Sequence, residues 1–92
     1  MDTKKIRAEI IANGLVQGVG FRYFISQKAE QFNISGFTQN MDDGSVLVDA
    51  EGSPKSIDDL IEALKVGPIN SNVRKLDVSE IGIADYNGFS IL

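Results

Sequence analysis

Apolar residues near the start of the chain fall on every second position. Ile6, Ala8, Ile10 and Ala12 alternate with Arg7, Glu9, Ile11 and Asn13, a period of two that predicts a strand with one apolar face. From Phe21 the period lengthens. Phe21, Phe24, Ile25, Lys28, Ala29 and Phe32 follow the spacing of a helix with one largely apolar face, and Asn33 can end it. Residues 35–41 read as a short strand. Asp42-Asp43-Gly44 reads as a hairpin turn whose glycine supplies the positive φ, and Val46, Val48 and Ala50 lie in phase on the returning arm. Ser53 is placed to cap a second helix with Pro54 at its first position. Ile57, Leu60, Ile61 and Leu64 form its buried stripe. Asp58 and Asp59 near its start and Lys65 in its last turn suit the dipole, and Gly67-Pro68 stops it. Residues 69–72 read as a loop, and Leu76 and Val78 share one face of a fourth strand. Val73 is out of phase with them, which predicts a bulge or an earlier strand start. Residues 89–92 read as a short last strand.

This order, β-α-β-β-α-β with a short strand added, predicts an α+β fold. It is the ferredoxin-like split βαβ sandwich, two helices packed on one face of a mostly antiparallel sheet. The length of 92 residues predicts one domain spanning residues 1–92. A hydrophobic content of 42% is enough for a small core. No apolar run is long enough for a transmembrane helix, and the charged N-terminal run to Arg7 lacks the apolar stretch of a secretion signal. A cytoplasmic monomer with no membrane partner is the expectation. Lys4, Lys5 and Arg7 read as a solvated arm.

Charge and composition narrow the chemistry. A net charge of −4 argues against a nucleic-acid groove, which needs clustered cations. With no histidine and no cysteine, no Ser-His or Cys-His nucleophile pair, thiol chemistry or His- or Cys-built metal site can form. Catalysis would have to rest on Arg, Lys, carboxylates, amides, backbone N–H groups and water. The turn before the first helix stands out. Gly14, Gly18 and Gly20 lead into it, and Arg22 is the one Lys or Arg between Arg7 and Lys28. A cation at a helix start is opposed by the dipole and has no local stabilising reason to be there. Glycines let successive N–H groups turn inward at a helix N-terminus, and a guanidinium fork matches phosphate oxygens. The stretch reads as a phosphate cradle, against the simpler reading as a tight turn in an interaction domain. It is no nucleotide P-loop, because neither Lys-Ser nor Lys-Thr follows. The strand around residues 46–50 lacks the aromatics of an RNA-binding sheet.

Leu15-Val16-Gln17-Gly18-Val19-Gly20-Phe21-Arg22 resembles the signature loop of the acylphosphatase family. Gly36-Phe37-Thr38-Gln39-Asn40, then Asp43-Gly44-Ser45-Val46 and Glu51-Gly52, resemble its second signature. Gly67-Pro68 followed by Val73 is similar to its late loop. The resemblance runs from about residue 6 to 92 and departs from the family at Ala12, Thr38, Gln39, Asn70 and Ser71. It implies hydrolysis of the carboxyl-phosphate bond of acyl phosphates to carboxylate and inorganic phosphate, without metal or cofactor. Arg22 would bind the phosphate and Asn40 would orient the attacking water. The backbone N–H groups of Val16, Gln17, Gly18, Val19, Gly20 and Phe21 would hold the remaining phosphate oxygens.

Such a reaction suits these residues. An acyl phosphate carries a good leaving group, so the task is positioning and charge stabilisation. No side chain is an obvious general base, and the substrate phosphate is expected to take the water's proton. The alternative is a non-catalytic phosphate-binding module that recognises a phosphorylated partner, which would have no use for a water-orienting amide. Phe21, Phe24, Phe32 and Tyr23 are expected to pack. Asp42 and Asp43 are expected to serve the turn, Glu51-Gly52 to mark a strand end, and the Gln17 side chain to be a solvated loop group. Ser26, Ser35 and Ser45 have no base partner and are assigned no nucleophilic role.

Overall fold

A computed structural model describes residues 4–92; the first three residues of the charged N-terminal run lie outside it. The elements are β1 (Ile6–Leu15), α1 (Phe21–Gln31), β2 (Ser35–Asn40), β3 (Val46–Gly52), α2 (Pro54–Val66), β4 (Asn72–Ile81) and β5 (Phe89–Ile91). The strands form one sheet in the order β4-β1-β3-β2-β5. β1 runs antiparallel to β3 and β4, and β2 antiparallel to β3. Only β5 pairs in parallel, with β2. This is the ferredoxin-like split βαβ arrangement that the element order predicts.

The two hydrophobic periods meet in one core. Ala8, Ile10 and Ala12 of β1 and Val46, Val48 and Ala50 of β3 are buried together with Ile25 and Ala29 of α1 and Ile57, Leu60 and Leu64 of α2. Each large aliphatic side chain buried this way stabilises the fold by roughly 1.5–3 kcal/mol. Thr38 of β2 is also fully buried. Its hydroxyl donates to the Leu47 carbonyl at 2.8 Å, so it adds no unsatisfied polar group to the interior.

Local signals act where the sequence puts them. Ser53 Oγ accepts from the Ser56 N–H at 3.1 Å, and Pro54 opens α2. Asn33 takes a φ of 58° after α1, and the Ile34 N–H returns to the Ala29 carbonyl at 2.8 Å. β4 starts earlier than Leu76 and also carries a bulge. Its pairing jumps from Asn13↔Lys75 to Gly14↔Val73, which skips Arg74 and puts Val73 out of phase. Gly14 therefore belongs to β1 rather than to the turn that follows. At its φ of 130°, a Cβ would lie 2.1 Å from the Asn72 carbonyl oxygen.

β4 and β5 lie on opposite edges, so residues 82–88 must cross the sheet face that the helices leave open. Two buried carboxylates of β3, Asp49 and Glu51, hold this strap. Glu51 accepts from the N–H groups of Ala84 at 2.7 Å, Asp85 at 3.2 Å and Tyr86 at 2.8 Å. Asp49 receives Nε and Nη2 of Arg7, both at 2.8 Å, and the Tyr86 hydroxyl at 3.1 Å. Arg7 also donates to the Gly82 carbonyl at 3.0 Å, and Lys5 pairs with Asp85 at 2.8 Å. Lys5 and Arg7 are thus fixed to the strap and are not a solvated arm. Glu51 does more than mark a strand end. Burial pushes its carboxyl up, but the three N–H groups and Lys5 outweigh it and hold it below the usual glutamate range.

Glu51→Gln places an amide N–H₂ against donors and should lower unfolding free energy by roughly 1–3 kcal/mol at neutral pH, read by urea denaturation. Because the folded carboxyl titrates below its ordinary value of 4.5, its contribution is complete above that value and is lost as pH falls through the lower folded value. The gap between wild type and variant should therefore narrow below pH 4.5.

Candidate active site

The loop between β1 and α1 is shaped by two residues in the left-handed region, Gly18 and Gly20, with φ of 73° and 77°. A Cβ on either would meet nothing within 4 Å. Glycine is needed there for the backbone angle, which costs other residues about 1–2 kcal/mol. Gly20 is the N-cap of α1, with no side-chain cap and no acidic residue in the first turn. Among the described residues, nothing accepts a hydrogen bond from the N–H groups of residues 16–20. Unpaired donors and an uncompensated helix dipole thus meet at one point, which favours an anion.

Neighbouring groups hold this loop in place. Val16 and Phe21, 1% and 2% exposed, anchor its two ends in the core. Gly67 of the late loop lies so near that a Cβ would be 3.1 Å from the Phe21 ring. Gln17 does not have a solvated side chain. Its Nε2 donates to the carbonyls of Met41 at 2.8 Å and Ser45 at 2.9 Å, tying the loop to the β2–β3 hairpin. Val19 packs against the core. The side chains of Gln17 and Val19 are therefore engaged elsewhere, and only their backbone is available to a ligand.

A cavity of about 220 Å³ opens over the loop. Val16, Gly18, Gly20 and Phe21 form one side, and Arg22, Tyr23, Asn40 and Ile91 complete its wall. The structure thus brings Arg22 and Asn40 together over the glycine loop, although 18 positions (40 − 22) separate them. Arg22 Nη1 donates to the main-chain oxygen of Leu92 at 2.7 Å, which steadies one corner of the guanidinium. Asn40 ends β2, is exposed, and its side chain bonds to none of the described residues. Asp43 serves the turn as expected. Its Oδ1 accepts from the Ser45 hydroxyl at 2.6 Å and N–H at 2.9 Å, and both hold the carboxyl below its ordinary range. Among the described residues no group of three or more carboxylates converges in a way that could hold a metal ion.

Two wall residues differ from the sequence reading. Tyr23 is not packed but 64% exposed, with its hydroxyl one turn away from Gln27, which donates at 3.2 Å. Ile91 joins the wall without a local signal in the sequence. Its place follows from the parallel pairing Thr38↔Ile91, which no local pattern announces.

The family model of the acylphosphatases matches residues 8–91. An acylphosphatase of Chlorobaculum tepidum is 44% identical over 77 residues, covering 84% of this chain and 84% of the relative. One from Archaeoglobus fulgidus is 38% identical over 86 residues, 94% of this chain and 97% of its own. The crystal structure of acylphosphatase from Bacillus subtilis superposes with a TM-score of 0.93 at 38% identity, covering 95% of this chain and 98% of that one.

Gln17→Leu removes the tie between loop and hairpin. Both acceptor carbonyls keep another partner, Ser45 from the Met41 N–H and Met41 from the Gly44 N–H, so stability should fall by only about 1 kcal/mol. Phosphate affinity, measured by calorimetry on the folded variant, should weaken several-fold. Unchanged affinity would make the tie a stability feature alone.

Proposed function

The chain belongs to the acylphosphatase family, hydrolases of acyl phosphates, and we propose that Arg22, Asn40 and the N–H groups from Val16 to Phe21 are its machinery. The observation that carries this reading is the convergence of all three on one cavity. The N–H groups of the loop and the guanidinium of Arg22 receive the phosphate oxygens, with charge-assisted hydrogen bonds worth roughly 1.5–3 kcal/mol each. Their strength grows as charge builds on those oxygens in the transition state. The Asn40 amide can accept from a water and donate to it, which fixes the direction of attack on phosphorus.

In the reaction the bond between phosphorus and the bridging oxygen breaks, and a bond from phosphorus to the water oxygen forms. The carboxylate departs with its electron pair and needs no acid, being a weak base. The water's proton passes to a phosphate oxygen, so inorganic phosphate leaves carrying it. No step calls for a metal or cofactor. Asp43 takes no part, since its carboxylate is spent on Ser45.

This reading includes one domain over residues 1–92, acting as a cytoplasmic monomer on a small-molecule acyl phosphate, without nucleic-acid or membrane partners. The net charge of −4 supports it against a polyanionic partner. No helix among the described residues is long and apolar enough to cross a membrane. A non-catalytic phosphate-binding module is the competing function. It gives no reason for an unengaged amide at Asn40 beside the loop.

With benzoyl phosphate at neutral pH and a chelator present, the wild type should turn over rapidly. Arg22→Lys keeps the charge but loses the fork and should lower kcat/KM by about two orders of magnitude or more. Asn40→Ala should lower kcat while inhibition by inorganic phosphate stays near normal, and Asp43→Asn should keep the wild-type rate. A folded wild type that binds phosphate without turnover would favour the binding module.

A further inference from the structure

The cavity over the glycine loop has polar and apolar lining, and two of its apolar members, Tyr23 and Ile91, are exposed. Val16 and Phe21 are buried in the core, while Tyr23 and Ile91 are 64% and 44% exposed. Tyr23 has no stacking partner among the described residues; its hydroxyl is held by Gln27 and its ring is left uncovered. A substrate whose phosphate sits against the glycine loop and Arg22 has the exposed Tyr23 and Ile91 within the same cavity for its carbon skeleton, since Val16 and Phe21 are sunk in the core.

Building on the hydrolase reading above, we propose that Tyr23 and Ile91 form the acyl subsite and select acyl phosphates with an apolar, ring-bearing or branched carbon skeleton over those with a single methyl. Tyr23 projects from the first turn of α1 and Ile91 from β5, so both ride on the elements that position Arg22. An aryl group resting on the Tyr23 ring loses water from two apolar faces. This attraction is shared by ground and transition states, so it acts on KM rather than on kcat. Tyr23 is thus a specificity-determining residue, and the reacting atoms stay with Arg22 and Asn40.

The test compares benzoyl phosphate and acetyl phosphate as substrates of the full chain. Wild type should show the higher kcat/KM on benzoyl phosphate. Tyr23→Ser should lower the benzoyl-to-acetyl ratio of kcat/KM by roughly two- to tenfold, through KM for benzoyl phosphate. Tyr23→Phe, which keeps the ring, should restore the ratio. Ile91→Ser should act in the same direction, with folding checked by circular dichroism. A ratio unmoved by Tyr23→Ser overturns the subsite. So does a rise in KM for both substrates in step with the inhibition constant of inorganic phosphate, which would make Tyr23 a support of the cradle. A wild type that hydrolyses neither substrate removes the hydrolase reading itself. Turnover of both with a fixed ratio removes the acyl subsite alone.

Discussion

A backbone that grips an anion with its own N–H groups has to leave those groups unpaired in the fold. The loop from Val16 to Gly20 does so, and it thereby gives up the hydrogen bonds that would otherwise fix its shape. Its support has to come from its neighbours. The Gln17 amide reaches into the hairpin, Val16 and Phe21 are sunk in the core, and the late loop packs against the Phe21 ring. Gly18 and Gly20 are exposed, so water can serve their donors at little cost. The shape of this loop is therefore held by packed side chains and the Gln17 amide rather than by its own backbone hydrogen bonds.

The other wall of the site depends on a different constraint. β5 has three residues and lies at a sheet edge, too little to stand alone. It is delivered there by the strap across the open face, and the strap is held by Glu51 and by the Arg7–Asp49–Tyr86 cluster. A physical chain runs from the buried carboxylate of Glu51 through residues 82–88 to β5. From there it reaches Ile91 in the cavity wall and the Leu92 oxygen on Arg22. Buried carboxylates are costly without partners, and here both are fully bonded. That converts a liability of β3 into the attachment that closes the sheet.

What the sequence disclosed follows from how far each signal reaches. Helix and strand periods, the Ser53 cap, the Asn33 stop and the Asp-Gly turn are set by residues within a few positions, and all could be read directly. The loop and its arginine were legible because a Gly-rich helix start with an isolated cation is a local anomaly. The misread features are long-range. Glu51 meets partners 33 to 35 positions away, Arg7 meets Asp49 at 42, and Gln17 finds its carbonyls across the hairpin. Gly14 looked like a member of the glycine turn, yet its role is set by the Asn72 carbonyl on β4. Tyr23 reads as packing because an aromatic on a helix most often is, and only the assembled fold leaves it 64% exposed in one cavity wall with Ile91 of β5.

The choice of arginine at position 22 follows from these geometries together. At the start of α1 a cation is unfavourable by itself, so the residue there has to be compensated on more than one side. One donor of the guanidinium is already committed to the Leu92 oxygen at 2.7 Å, which fixes its plane beside the loop before any ligand binds. The guanidinium carries five N–H donors in a rigid fork, so several remain after that commitment. An ammonium at the same position would have three donors on a flexible stem and no plane to fix. It would meet the Leu92 oxygen without fixing the direction of its other donors. The short last strand and the arginine are thus parts of one device, in which the sheet edge orients the fork beside the unpaired N–H groups of the glycine loop.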